Sequence, residues 1–472
     1  METVTAAETE LDVAAGRAEG RQLAAVGEPD GRHVREAHQG GNGRPHRHQG
    51  EAGTTTSGAA ASATIAARPH RHQGEAGTTT VPLPASDRAR YAGPWTVYTL
   101  GFAAPRRTAF YRYDEGELPE GQFRIRTLYT GLSAGTELTH FRGTNQYLHK
   151  VWDETYKLFR PAAGMASQQY PLWFSGYMEV GEVCASRCPS MPEGQLVASS
   201  YGHKSGHTAD PRHELHVPLP AGLDPILGIY VAQMGPVCAN GILHADEEAF
   251  GAGAGHFGCG VEGRSVVVFG CGVVGLLTAM MARWCGASEV VVADTGEARL
   301  AAARRLGFMA IDTARDDPAT WAKDRWCTGP EGERGADLVF QCRARDEALC
   351  QALDCLRPQG TVIDLAFYQT GAPRLMLGEA FHHNGLRHIA AQIFRVPRKL
   401  QHAWNRRRLS EVTIQFLQAC GRDVRRHLIT DIVPLTQAQR IFEEIEAKRR
   451  QPLQVVFEVG DAVADVVVEG TL

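Results

Sequence analysis

Residues 265–275 read S-V-V-V-F-G-C-G-V-V-G, and no other stretch of the chain limits its fold so tightly. A continuous apolar strand, Val266 to Phe269, runs into Gly270-x-Gly272-x-x-Gly275, and the glycines run into a helical segment, Val274 to Cys285. A second apolar strand, Val290 to Ala293, ends at Asp294, nineteen residues beyond Gly275. Strand, glycine turn, helix, second strand and acid together form the dinucleotide fingerprint. Gly270 permits the tight turn, Gly272 lets the backbone approach a pyrophosphate, and Gly275 lets the helix pack close to the strand. Val273 and Val274 open the helix, whose free amides and partial positive charge face the phosphates. Asp294 is placed to accept hydrogen bonds from the adenosine ribose and to repel a 2′-phosphate, so NAD is expected in preference to NADP. Arg299, five residues later, softens that preference.

The alternation continues with strands at Leu338 to Phe340 and Thr361 to Leu365. A helix from Glu347 to Leu356 lies between them, and Pro358 and Gly360 are expected to stop it. This rhythm builds a parallel sheet with helices on both faces, an α/β fold. Upstream, Trp95 to Leu100 and Phe123 to Thr130 read as strands. The second sets Phe123, Ile125, Thr127 and Tyr129 against Arg124 and Arg126. Short strands and Gly or Pro turns persist to about Pro220, which makes a β-rich first domain.

The first ninety residues contain no Phe, Trp, Tyr or Cys, although the chain holds 36 aromatics and 11 cysteines. They include a perfect repeat, RPHRHQGEAGTTT, at Arg44–Thr56 and again at Arg68–Thr80. A unit with no apolar face cannot stack into a solenoid, so residues 1–88 are expected to be a disordered, low-complexity segment. The other limits are 89–235 for the β-rich domain, 236–393 for the doubly wound nucleotide fold, and 394–472 for a return to the first domain.

A formal charge of −4 argues against an electrostatic nucleic-acid binder. No apolar run reaches 18 residues, and Met1 to Val13 carries four acids and no base, unlike a signal peptide. A cytoplasmic protein away from membranes is expected, with its odd number of cysteines reduced.

From Trp95 to Val459 the chain resembles the medium-chain dehydrogenase/reductase superfamily, the relatives of zinc-dependent alcohol dehydrogenases. The resemblance rests on TGLSAGTELTHFRG (Thr130 to Gly143), SGYMEVGEV (Ser175 to Val183), the fingerprint, GADLVFQC with LRPQGTVIDL (Leu356 to Leu365), and LQVVFEV (Leu453 to Val459). It implies a GroES-like catalytic domain before a Rossmann-type NAD-binding domain, with the active site between them. It also implies NAD-dependent dehydrogenase or reductase activity on a small molecule, and a homo-oligomer, dimer or tetramer.

The zinc enzymes of that family hold catalytic metal with a Cys from G-x-C, a His from G-H-E and a third Cys, Asp or Glu. Here Ser133 stands for the Cys, Tyr177 and Met178 for His-Glu, and Gly235 for the acid. Zinc wants tetrahedral N, S or O donors, three of them from protein in an open site, and Ser and Tyr are poor substitutes. Cys238, His140, His203 and His207 remain open as relocated ligands. Cys184 and Cys188, a lone pair, cannot close a structural four-cysteine site. No metal is therefore expected, and Ser133 and Tyr177 become candidates for the reacting site.

Without zinc, another group must take or return the hydroxyl proton during hydride transfer. Thr136 matches the family's Ser or Thr relay position if one extra residue is allowed, and Glu137 then matches a supporting acid; a turn hydroxyl and a surface ion pair are the plainer alternatives. His203, in the polar loop Ser199 to His207, is the first candidate for general acid or base. Lys204 would replace zinc's charge at a developing oxyanion. Arg387 or Arg395 would orient an anionic or polyhydroxylated substrate, or face the cofactor phosphates or solvent. The leading expectation is oxidation of a secondary alcohol, or reduction of its ketone, on a sugar-like or cyclitol substrate. Two others stay open: an enzyme with tightly bound NAD whose net reaction is not redox, and an NAD-binding sensor or structural protein with a decayed site.

Overall fold

The computed structural model describes residues 88–162, 164–328 and 332–472. The head and its repeat lie outside the described residues, except for Arg88, which already belongs to the folded body through an ion pair with Glu182 at 3.1 Å.

The strand positions follow the apolar runs. A hairpin of β1 (Trp95–Ala104) and β2 (Arg107–Glu115) leads to β3 (Phe123–Gly131) and helix α1 (Ala134–Arg142). Strands β4 (Glu179–Ser186), β5 (Leu196–Ser199), β6 (Gly206–Ala209) and β7 (His216–Pro218) complete the first section. Helix α2 (Met234–Phe250) then crosses to a second sheet. That sheet begins with β8 (Ser265–Phe269), α3 (Val273–Trp284), β9 (Glu289–Asp294), α4 (Glu297–Arg305) and β10 (Met309–Asp312). It continues with β11 (Ala336–Gln341), α5 (Asp346–Asp354), β12 (Leu356–Asp364) and β13 (Arg387–Ala390). The chain closes with α6 (Arg406–His427), β14 (Ile429–Pro434), α7 (Ala438–Glu446), β15 (Gln454–Glu458) and a last strand, β16 (Val468–Thr471), which pairs with β2.

The second sheet has the order β10-β9-β8-β11-β12-β13, parallel throughout. Numbered along the chain this is 3-2-1-4-5-6, the doubly wound Rossmann arrangement, whose crevice opens at the carboxyl ends of the strands where the order reverses. Phe269 pairs with both Ala293 and Gln341, so the glycine turn after β8 sits at that reversal. Both faces of β8 are covered, which is why its sequence is apolar without alternation.

The first sheet runs β14-β15-β3-β4-β5-β7, with β6 also on β3. Strands β14 and β15 come from the end of the chain, and β15 pairs antiparallel with β3 at Gly131. Helix α6 lies against α2, where Thr413 fills the space beside Gly235. Trp284 of α3 meets Phe416 with ring centroids 5.9 Å apart. Among the described residues no helix is long and apolar enough to cross a membrane.

Two local expectations need correction. Helix α5 ends at Asp354, before Pro358 and Gly360. Those residues lie within β12, where the register shifts against β11 and Gln359 takes φ of 60°. Proline has no N–H to give a ladder, so it falls where pairing is already broken. Arg124 is not on a solvated face but fully buried. Its guanidinium donates to the carbonyls of Tyr91, Gly93 and Gly116 and to Thr208 Oγ1, so backbone oxygens satisfy it in the core.

Candidate active site

Strand β3 ends at Gly131, and Ser133 caps α1 without using its side chain as a cap. Glu137 does that work from the first turn: its Oε1 accepts the Ser133 N–H at 2.7 Å. The arrangement resembles a capping box in which the acid satisfies an orphan amide. The Ser133 hydroxyl is thereby left to bond the Tyr177 hydroxyl, and Thr136 Oγ1 lies 3.4 Å from the same phenol. Three hydroxyls from positions 133, 136 and 177 thus meet at one point. Tyr177 is partly buried, and burial raises its pKa above the usual phenol value despite the bonds from Ser133 and Thr136, which lower it. At neutral pH it is a protonated donor.

Behind this group, Glu137 Oε2 is 2.8 Å from His203 Nε2, and His203 Nδ1 is 2.7 Å from Thr130 Oγ1. An ionised Glu137 only accepts, which places a proton on Nε2 of the imidazole. Both side chains are buried. His203 therefore stands one residue behind the hydroxyls and holds Glu137. Glycine makes its approach possible: Gly176 has φ of 85°, and a Cβ there would lie 2.8 Å from His203 Nε2. A Cβ on Gly202 would fall 1.9 Å from the Ser175 carbonyl.

Lys204 leaves the chain on the other side. Its ammonium lies 4.5 Å from the Phe174 ring centroid and 4.9 Å from that of Tyr201, and Nζ is 3.4 Å from the Tyr113 hydroxyl. Burial lowers its pKa. None of these contacts is with Ser133, Thr136 or Tyr177. Arg387 bonds Glu248 at the surface, and Arg395 is exposed.

The residues a catalytic zinc would need do not fit one. A Cβ on Gly235 would meet Thr413 Cγ2 at 2.2 Å, so no acid can stand there. The Cys238 thiol points to the Val274 carbonyl at 3.5 Å, and burial pushes its pKa up to about 12. His140 Nε2 is bonded to Gln168 Oε1 at 2.9 Å. His207 lies against the Tyr201 ring, 3.6 Å from Glu179, and burial depresses its pKa strongly. Among the described residues no three His, Cys, Asp or Glu side chains are placed to share an ion.

The dinucleotide fingerprint does fit its ligand. Gly270 has φ of 97°, and a Cβ on Gly275 would sit 1.6 Å from the Gly270 carbonyl oxygen. A Cβ on Gly272 would meet nothing within 4 Å, so the space above the start of α3 is open where a pyrophosphate would lie. Val273 and Val274 form the first turn of α3. Asp294 closes the loop: Oδ2 accepts the Cys271 N–H at 2.8 Å, and Oδ1 accepts those of Thr295 and Gly296 at 2.7 and 2.9 Å. Arg299 and Arg343 flank the carboxylate at 3.9 and 3.8 Å. Thr130, Glu179 and Arg343 carried no signal in the sequence. Thr130 lies near the end of β3 and Glu179 opens β4, strands of mixed polar and apolar residues in which neither stands apart, and Arg343 stands beside Gly270 only because β11 ends there.

Residues 273–402 match the family described as zinc-binding dehydrogenase. The chain is similar to D-guloside 3-dehydrogenase of Escherichia coli (strain K12), 24% identical over 321 residues, which are 66% of this chain and 86% of that relative. D-xylulose reductase of Saccharomyces cerevisiae is 32% identical over 107 residues, 23% of this chain and 30% of the reductase. Among solved structures, alcohol dehydrogenase TADH from Thermus sp. ATN1 superposes with a TM-score of 0.54 at 18% identity, covering 77% of this chain and all of that one. The 2R,3R-butanediol dehydrogenase from Bacillus subtilis reaches 0.57 at 15% identity over 77% of this chain and 99% of its own. At such identities the structural likeness speaks for the fold.

Proposed function

The chain belongs to the medium-chain dehydrogenase/reductase superfamily, and from that premise we propose that it transfers hydride between NAD and a secondary alcohol or ketone of a sugar-like substrate without a catalytic zinc. The observation that carries this reading is that the Ser133 and Tyr177 hydroxyls, at two positions where zinc ligands stand in the family, meet each other and the Thr136 hydroxyl. The two named relatives act, by their names, on a guloside and a xylulose, which supports a polyhydroxylated substrate.

Gly270, Gly272, Val273, Val274, Gly275 and Asp294 would hold the dinucleotide, with Arg299 beside the ribose. The bound nicotinamide supplies the hydride acceptor or donor. The protein's part is proton handling and orientation. Tyr177, kept protonated by burial, donates a hydrogen bond to the substrate oxygen and gives up its proton as a ketone is reduced. Ser133 bonds that phenol and Thr136 lies within reach, so either hydroxyl can relay a proton from solvent to it, taking one up as it passes one on. Glu137 fixes the Ser133 backbone, and His203 with Thr130 fixes Glu137. Glu137 and His203 are positioning residues in this scheme.

The test is elemental analysis of the purified, active protein together with dinucleotide reduction on a panel of polyols and sugar alcohols. Activity with far less than one zinc per chain, unaffected by a chelator, is expected. One zinc per chain that is lost together with activity would overturn the zinc-free mechanism.

A further inference from the structure

Arg406 opens α6 at the junction of four parts of the chain. Its Nη2 donates to Gln233 Oε1 at 2.6 Å, to Ser200 Oγ at 3.2 Å and to the Ala232 carbonyl at 3.3 Å. Its guanidinium carbon lies 4.9 Å from the centre of the Phe394 ring. Ser200 follows β5 of the catalytic sheet, Gln233 caps α2, and Phe394 lies just past β13, the last strand of the dinucleotide sheet. The crevice of a doubly wound sheet lies outside the carboxyl ends of its strands, and Phe394 follows one of those ends.

All three acceptors of Arg406 are neutral, and all three use one nitrogen. Among the described residues no carboxylate pairs with this guanidinium, and its Nε is buried without a partner. Arg124 shows the contrast: it is fully buried where Arg406 is half-buried, yet carbonyl and hydroxyl oxygens surround its nitrogens. One turn along the same face of α6, Ser410 is fully buried with its hydroxyl unpartnered. A desolvated charge without a counter-charge is costly in a folded protein, and a ligand anion relieves it. An arginine whose fork is only partly used suits a carboxylate or phosphate, which it can hold with two parallel bonds.

We propose that Arg406 recognises an anionic group on the substrate, so that the site takes sugar acids or sugar phosphates in preference to neutral polyols. This rests on the dehydrogenase reading above and narrows its substrate class.

The experiment uses the full chain with NADH bound and follows thermal stabilisation by D-gluconate, sorbitol 6-phosphate and sorbitol. The wild type is expected to bind at least one of the two anions roughly 10- to 100-fold more tightly than sorbitol. Arg406→Gln should erase that preference, and Arg406→Lys should keep part of it, because the charge remains while the fork is lost. NADH affinity, from quenching of protein fluorescence, should change less than about 3-fold in both variants, which also shows that they are folded. Sorbitol binding as tightly as the anions, or an unchanged preference in Arg406→Gln, would overturn the proposal. So would a fall in NADH affinity that matches the fall in anion affinity, because the guanidinium would then serve the dinucleotide's own phosphates. The readout is binding, so a failure of catalysis would strike the dehydrogenase reading and leave this result standing on its own.

Discussion

Replacing Tyr177 with Phe removes one oxygen from the point where three hydroxyls meet. The ring keeps its place against the core, so packing is retained. The hydroxyl bonds Ser133 and lies 3.4 Å from Thr136. Each such bond contributes on the order of 1 kcal/mol net. Ser133 is itself buried, so its hydroxyl loses its partner and adds part of a desolvation cost. The stability cost is therefore about 1–2 kcal/mol, a fall in Tm of a few degrees for a body of this size. Under the proposed mechanism the catalytic cost is larger, because the lost donor would face the oxygen that gains charge as hydride moves. Removing one such donor lowers kcat by roughly 10²- to 10³-fold, or about 2.7–4 kcal/mol of transition-state stabilisation. Steady-state rates on the best polyol substrate, with NADH binding measured separately, give both quantities. The expected result is a fall in kcat and kcat/KM together at unchanged NADH affinity. A kcat within about 3-fold of wild type would refute the assignment of the phenol as proton donor, and a parallel loss of NADH binding would mean that the change acted through the fold.

Gly275→Ala places a methyl group 1.6 Å from the Gly270 oxygen, against backbone that cannot step aside. NADH affinity should fall by more than about 100-fold and Tm should drop, in line with overpacking costs of 1–3 kcal/mol or more; wild-type affinity would show that α3 does not pack on the turn as described. His203→Ala leaves Glu137 Oε2 buried without its donor, at a cost on the order of 3 kcal/mol in urea unfolding, while Glu137→Gln, which can still bond, should cost clearly less; equal effects would contradict the pairing. Asp246 is fully buried beneath the Gly258 and Gly260 amides, and burial raises its pKa to about 6. The folded state then binds more protons than the unfolded state between about pH 4 and 6, so this group's contribution to stability falls as pH rises through that window, by roughly 1–3 kcal/mol in all. Asp246→Asn should flatten that part of the pH–stability curve, and an unchanged slope would assign it to other groups.

The candidate site was legible in pieces. Ser133, Thr136, Glu137, Tyr177 and His203 each stood out, by resemblance to the zinc enzymes or by chemistry. Their connections did not, because the bonds span 41 to 66 positions of sequence separation. Lys204 shows the limit clearly. It adjoins His203 in the chain, but neighbouring residues of an extended segment point to opposite sides, and its ammonium lies among Tyr113, Phe174 and Tyr201. Arg406 opens the run Arg406-Arg407-Arg408, which by its charge alone reads as a solvated helix face. The structure makes it different from Arg407 and Arg408, both exposed, because the face of α6 that carries it turns towards Gln233.

The glycine spacing, the apolar run of β8 and the acid after β9 determined by themselves that the chain carries a dinucleotide fold. These are demands of a tight turn, a close helix and the next strand, all met within one short stretch of chain. Tertiary structure alone decided that three hydroxyls share one point, that Thr413 fills the space beside Gly235, that His203 supports Glu137 from behind, and that Arg406 carries an unbalanced charge. Each of these depends on which distant side chains share a buried volume. Side-chain chemistry names the candidates for such a meeting, and packing selects among them.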